Sequence, residues 1–351
     1  MIRVLAAGDL FIRSSLLRSA LETAMPEGIE IAETEFGWPD VPFGRVAEVD
    51  EASGSEDELI DALRGSTAIV TQLAPLTERV MEAVPELRFI AVSRGGPTNV
   101  NVDAARRRGV QVANVPGRNG IATAEMTIGL SLALMRRIPL AHTSLLERSW
   151  RGDLYRSDAV GREVSGSTIG LLGAGAVGSH VAQAFAAMGA RVLVFDPYLP
   201  ADRLAPGLEK VATAEEIFRR SDLVSVHARL TPETAHMVDA ATLALMKPGA
   251  LLVNAARGGL VDYDAVASAL ASGALGGAAF DVYPEEPVDF DHALFRLAEE
   301  GKDVVLTPHI AGASQETAVR AARGVAEEVR RFLGGLPALN PLADGPRTAL
   351  L

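Results

Sequence analysis

The chain of 351 residues contains no cysteine, which excludes disulfides, a thiolate nucleophile and cysteine-ligated zinc or iron–sulfur centres together. Long apolar runs are also missing. No stretch of about 18 apolar residues occurs, and the most apolar helical segment, Ile121–Met135, carries Glu125 and reads as a buried or interface helix. The opening MIRVLAAGDL is interrupted too quickly for a secretory signal; with the missing cysteines this sets cytoplasm as the expected location. Positive charge is short as well: 33 Lys+Arg face 45 Asp+Glu, for a formal net charge of −12. Such a surface repels phosphodiester backbones and anionic lipid, and no basic patch offsets it, so neither nucleic acid nor a membrane is expected as a partner. An anionic small molecule then has to be captured by a few placed arginines. His142, His180, His236 and His292 show no metal-ligand spacing, and no metal site is expected.

What is present describes a globular protein of about two domains, with 48% hydrophobic and 22% charged residues. Short apolar runs at Val4–Ala6, Ile29–Ala32, Ala68–Val70, Phe89–Val92 and Val110–Val112 alternate with helical patterns at Ser15–Met25, Glu56–Leu63 and Val102–Arg108. That alternation predicts a parallel sheet with helical crossovers. Pro116-Gly117 breaks the pattern before a long helix, Ile121–Arg137, which Pro139 is expected to end. A second alternating unit begins at Ser167 with six expected strands, Thr168–Leu172, Arg191–Phe195, Leu223–Val226, Ala250–Val253, Gly277–Phe280 and Asp303–Leu306, the count of a complete dinucleotide-binding domain. One more helix, Gln315–Leu333, precedes a Gly/Pro-rich tail. With no strand expected after it, this helix is assigned to the first unit.

Between the strand Thr168–Leu172 and its helix lies Gly173-Ala174-Gly175-Ala176-Val177-Gly178. In a G-x-G-x-x-G turn the first glycine allows the bend, the second lets backbone approach a pyrophosphate, and the third lets the helix pack on the strand. The helix N-terminus offers unpaired N–H groups to the phosphates. The following strand ends at Asp196, eighteen residues after Gly178, where an acid accepts from a ribose 2′-hydroxyl and repels a 2′-phosphate. Pro197 and Tyr198 supply no arginine to clamp a phosphate, so NAD is expected over NADP.

Three further strands end in Asn254-Ala255-Ala256-Arg257-Gly258-Gly259, Asp281-Val282-Tyr283-Pro284-Glu285-Glu286-Pro287 and Thr307-Pro308-His309. Ligands of open parallel sheets sit beyond the carboxyl ends of the strands. Reducing a 2-keto acid requires a cation for the carboxylate, well met by an arginine fork. It also requires a proton donor for the carbonyl oxygen, which a histidine backed by a carboxylate supplies. Arg257, His309 and Glu286 fit these roles. No tyrosine has lysine four residues on, which excludes the Tyr-x-x-x-Lys dehydrogenases, and cysteine-ligated zinc alcohol dehydrogenases are already excluded.

Through VSRGGPTNVNVDAA, GRNGIATAE, GLLGAGAVG, VSVHARLTPET, NAARGGLVD, AAFDVYPEEP and LTPHIAGAS, the chain resembles the D-isomer-specific 2-hydroxyacid dehydrogenase family from about Phe89 to Arg331. The resemblance implies an α/β fold of two doubly wound parallel-sheet domains. A flavodoxin-like substrate domain (1–116 and 312–351) would carry an inserted Rossmann NAD-binding domain (117–311). It places the family's catalytic set on Arg257, Glu286 and His309, preferring Glu286 to Glu285 because it directly precedes Pro287. NAD contacts are implied at Gly173, Gly175, Ala176, Val177, Gly178, Asp196, His227, Ala228, Ala255 and Asp281, with Asp281 facing the nicotinamide carboxamide and His227 forming a wall of the site. Substrate carboxylate is implied at Arg94, Gly95, Gly96 and Arg257, although Gly96-Pro97-Thr98-Asn99 departs from the family's longer glycine-rich turn. The expected activity is hydride transfer between NAD(H) and a small D-2-hydroxy or 2-keto acid of the phosphoglycerate, hydroxypyruvate or glyoxylate type. The expected assembly is a homodimer. An NADH-sensing corepressor-like binding protein of the same fold is the alternative.

Overall fold

Runs of four residues, each too short for a helix, become the inner strands of the first unit: β3 (Ala68–Thr71), β4 (Phe89–Val92) and β5 (Gln111–Asn114) are buried along their whole length, the polar ends of β5 included. Burial on both faces is what a parallel sheet covered by helices demands. The computed structural model describes residues 2–38 and 44–343. The chain divides into two compact units, one formed by residues up to Asn119 with those from Ser314 onward, the other by Gly120–Ala313.

In the first unit β1 (Ile2–Gly8) and β2 (Ile29–Glu35) join the inner strands, and a short antiparallel strand, Pro341–Ala343, closes the far edge. The order from that edge is Pro341–Ala343, β5, β4, β3, β1, β2. The helix Gln315–Leu333 packs on this sheet through Ala318, Ala321, Ala322, Val325, Ala326 and Val329, at helical spacing on one face. Phe332 stacks on Phe89 with ring centres 4.6 Å apart. The strand after this helix was not expected: three residues beginning with proline carry no alternation, and pairing at an edge alone defines them.

In the second unit β6 (Thr168–Leu172), β7 (Arg191–Phe195), β8 (Leu208–Lys210), β9 (Leu223–Val226), β10 (Ala250–Asn254), β11 (Leu275–Phe280) and β12 (Val304–Leu306) form one parallel sheet, and Pro341–Ala343 of the first unit is β13 in chain order. The sheet order is β12-β11-β10-β9-β6-β7-β8. Seven strands therefore replace the six expected. The addition, Leu-Glu-Lys, is a half-exposed edge strand whose polar residues give no apolar run. The long helix runs Gly120–Met135 and stops because Arg137 turns left-handed at φ 54°. Pro139 then sits in the first turn of a new helix, Ile138–Leu146, so it begins a helix where it was expected to end one. The residues of the tail beyond Ala343 lie outside the described residues.

Candidate active site

The turn after β6 needs its glycines for distinct reasons. Gly173 has φ +99°, and a Cβ there would lie 2.9 Å from the His227 backbone. At Gly178 a Cβ would come 2.3 Å from the Gly173 carbonyl oxygen, so the helix Ala176–Ala187 sits against the turn only because that side chain is missing. Gly175 is different: a Cβ there would meet nothing within 4 Å. Its backbone borders open space at a helix N-terminus that no side chain caps, leaving first-turn N–H groups for an anion. Ala176 is exposed and Val177 half-buried beside it.

Asp196 is fixed against this turn. Its Oδ2 accepts the Ala174 N–H at 2.9 Å, and its Oδ1 accepts the N–H groups of Tyr198 and Leu199 at 2.9 and 3.1 Å. An open glycine, uncapped amides and a carboxylate locked beside them fit a dinucleotide. His227, after β9, shares a 2.8 Å hydrogen bond between Nε2 and Ser225 Oγ, and burial pushes its imidazole down to about 4. It is therefore neutral at pH 7, which suits a wall better than a proton donor. Ala228 is half-buried and Ala255 buried at neighbouring strand ends.

The proposed proton relay lies across the ends of β10, β11 and β12. His309 Nδ1 donates to Glu286 Oε2 at 2.7 Å, and Glu286 Oε1 accepts the Tyr283 N–H at 3.1 Å. Burial raises the Glu286 pKa, but the bond and charge of His309, the Tyr283 amide and the charge of Arg257 together outweigh it and leave the carboxyl below its ordinary value. Arg257 is exposed, with Nη1 on the Ala256 carbonyl at 2.7 Å. Its loop is shaped by buried Asn254, which donates to the Arg257 carbonyl at 2.9 Å and accepts the Ala256 N–H at 3.0 Å. A Cβ on Gly258 would lie 2.0 Å from the Tyr283 carbonyl oxygen, so the Arg257 loop rests directly on the loop that carries Glu286.

Asp281 directly follows β11. It is wholly buried, and its carboxylate is occupied by the Thr307 hydroxyl at 2.6 Å and by the N–H groups of Ile310 and Ala311 at 2.9 and 2.8 Å. These three donors flank His309, so the Asp281 carboxylate ties together the backbone on either side of the histidine. Tyr283 extends the same stitching through its hydroxyl to the Thr307 carbonyl at 3.0 Å, and the Tyr263 hydroxyl donates to the Val282 carbonyl. Sequence reasoning passed over Asn254, Tyr263, Tyr283 and Thr307. Their places at strand ends within the quoted motifs were the available signal.

In the first unit, Gly95 and Gly96 are exposed after β4, and a Cβ on Gly96 would meet nothing within 4 Å. The Gly95 carbonyl accepts from Asn114 Nδ2 at 2.9 Å. The Arg94 guanidinium is paired with the Glu51 carboxylate and donates to the Glu51 carbonyl at 3.3 Å. Among the described residues no three His, Asp or Glu side chains gather as a metal site, and no helix is long and apolar enough to cross a membrane.

Comparison with known proteins matches residues 128–311 to the family described as D-isomer specific 2-hydroxyacid dehydrogenase, NAD binding domain. A D-3-phosphoglycerate dehydrogenase of Synechocystis sp. is 38% identical over 296 residues, 84% of this chain and 52% of that one. One from Mycobacterium bovis is 41% identical over 280 residues, 80% of this chain and 51% of that one. The chain spans about half the length of these curated relatives. Among solved structures, the TT0316 protein of Thermus thermophilus superposes with a TM-score of 0.77 at 30% identity, covering 97% of this chain and all of that one. The NAD-complexed D-isomer specific 2-hydroxyacid dehydrogenase of Lactobacillus delbrueckii ssp. bulgaricus gives 0.76 at 25% identity, covering 97% of this chain and 99% of that one.

Proposed function

The chain belongs to the D-isomer specific 2-hydroxyacid dehydrogenase family, and from that premise we propose that it interconverts a small D-2-hydroxy acid and its 2-keto acid with NAD(H). The observation that carries this reading is the 2.7 Å bond between His309 Nδ1 and Glu286 Oε2 at strand ends beside Arg257. Glu286 holds the imidazole with its Nδ1–H occupied, so Nε2 is the atom that passes a proton to the substrate's carbonyl oxygen. In the oxidation direction the same Nε2 takes the hydroxyl proton, and Glu286 stabilises the imidazolium that forms. Arg257 takes the substrate carboxylate on its guanidinium fork. Arg94, Gly95 and Gly96 are assigned to the acid as well, the two glycines through their N–H groups. Bound NADH supplies the hydride. The residues that would hold it are Gly173, Gly175, Ala176, Val177 and Gly178 for the diphosphate, Asp196 for the ribose, His227, Ala228 and Ala255 as walls, and Asp281 toward the nicotinamide carboxamide.

Purified protein should consume NADH when given glyoxylate, hydroxypyruvate or phosphohydroxypyruvate, and should use NADPH poorly. His309→Asn is expected to lower kcat by about 100- to 10,000-fold while still binding NADH. Arg257→Ala should chiefly raise KM, with some loss of kcat. Undiminished turnover in His309→Asn would overturn the relay assignment. The same reading includes cytoplasmic location and a homodimer; the dimer is supported by Leu146, Trp150 and Tyr155, large apolar side chains left exposed in and after the helix Ile138–Leu146.

A further inference from the structure

Tyr283 stands between the two halves of the proposed relay, in the loop after β11 and within the second unit. Its two ends hold different partners. The backbone N–H donates to Glu286 Oε1 at 3.1 Å, while His309 takes Oε2 of the same carboxylate. The phenol reaches the other way: its hydroxyl donates to the Thr307 carbonyl at 3.0 Å, and that carbonyl also accepts the His309 N–H at 3.1 Å. One residue therefore grips the carboxylate through its amide and the turn of the histidine through its side chain.

Packing does not account for the hydroxyl. The Tyr283 ring is half-buried, its centre 6.1 Å from that of Phe295 and 6.3 Å from that of Tyr263, contacts that a phenylalanine makes equally well. Nor is the hydroxyl needed to satisfy the Thr307 carbonyl, because the His309 amide already donates to it. What it adds is a tie between the loop that carries Glu286 and the loop that carries His309. Asp281 joins the same two loops from a fully buried position, whereas Tyr283 joins them beside Glu286 itself. The tie has something to hold: the His309 side chain is about half exposed, so packing alone does not fix the direction of its imidazole. Burial, followed by the charges of Asp281 and Glu286, pushes the phenol up to about 12, so it remains a donor across the range in which an imidazole titrates.

We propose that Tyr283 is a positioning residue for the relay, its hydroxyl setting the distance and line along which Glu286 meets His309 Nδ1. The proposal rests on the dehydrogenase reading above for the reaction served, while the geometry it concerns is also read without turnover.

Tyr283→Phe keeps the ring and the amide and removes only the hydroxyl. The charged side chains of these loops, Arg257, Asp281, Glu285 and Glu286, are unaltered in it. Single-turnover reduction of a keto acid that the wild type accepts should slow about 2- to 10-fold, the worth of one neutral hydrogen bond. KM for the keto acid and Kd for NADH should stay near their wild-type values, because no binding group has gone. Reduction requires the imidazole protonated, so kcat/KM falls on the alkaline side, and a looser contact with Glu286 should move that limb to lower pH by up to about one unit. NMR titration of the imidazole, assigned by its missing signal in His309→Asn, reads the same displacement with neither substrate nor NADH present. Tyr263→Phe is the control for simple loosening: it removes a buried hydroxyl from the Val282 carbonyl and should lower Tm without moving the limb or the NMR midpoint. An unchanged rate, a slower step with limb and midpoint unmoved, or an equal displacement in Tyr263→Phe overturns the proposal. If no keto acid is turned over but the midpoint still moves in Tyr283→Phe alone, the dehydrogenase reading fails and the positioning role stands.

Discussion

His309 occupies a left-handed backbone position, φ 54°, a conformation that costs a non-glycine residue about 1–3 kcal/mol and persists only where neighbours enforce it. The enforcement here is Asp281, whose carboxylate gathers Thr307, Ile310 and Ala311 around the histidine. Asp281→Asn replaces one acceptor oxygen with a donor facing the Ala311 N–H or its neighbours. It should destabilise the protein by about 1–3 kcal/mol and lower kcat while leaving the Kd for NADH near the wild-type value; urea melts and NADH fluorescence titration read the two effects separately. A large rise in Kd would instead give the cofactor contact the larger share of its role. His227 makes a pH-dependent contribution of known sign. Its folded pKa of about 4 lies below the unfolded value near 6.5, so between these the unfolded chain holds a proton that the folded chain does not. Stability therefore falls as pH drops through that window, by up to about 3 kcal/mol. His227→Gln should remove this slope in urea melts between about pH 6.5 and about pH 4, and an unaltered slope would show that other groups carry it.

At the level of elements, the turn from β6 into the helix Ala176–Ala187 separates folding from binding within a few residues. Gly178→Ala pushes a Cβ against the Gly173 carbonyl and should cost about 1–3 kcal/mol by overpacking. Gly175→Ala enters open space at φ −68°, so thermal stability should stay near wild type while NADH affinity drops at least about tenfold, as expected where backbone must approach a pyrophosphate. Equal losses of stability in the two variants would contradict this division. The same turn shows why much of the fold was legible. Its glycines, the apolar strand before it and the acid eighteen residues on are local signals that the structure reproduces. Strands with buried apolar runs, such as β4 and β9, were equally plain, whereas β8 and β13 were not, because their strand character comes from pairing at an edge. Arg257, Glu286 and His309 stood out because each lies in a loop that follows a strand. Asp281 directly follows one too, but its hydrogen bonds to Thr307, Ile310 and Ala311 join residues about thirty positions away, which no local pattern announces.

The chain carries a formal charge of −12, so two copies would repel at long range, and the proposed dimer would have to be driven by apolar contact. The second unit offers the material: Trp150 is 86% and Tyr155 93% exposed, with Leu145 and Leu146 nearby in sequence. Single exposed apolar residues are ordinary, but a series of large ones in one segment marks an interaction surface. Close by lies a cavity of about 310 Å³ whose lining includes Leu140, Thr143, Glu147 and Arg151 from this segment and Lys302 and Asp303 ahead of β12. A two-fold dimer uses the same patch on both copies, so each substitution acts twice at the interface. Leu146→Asp combined with Trp150→Asp should shift the sedimenting species from dimer to monomer, while NADH titration still reports an intact glycine turn. Salt supplies the complementary test. A contact built on ion pairs weakens as the screening length shrinks, whereas this one should hold or tighten at about 1 M salt, because repulsion between two acidic copies is screened and apolar burial is not. A wild-type protein that sediments as a monomer, or a dimer that dissociates as salt is raised, would contradict an apolar interface at this segment.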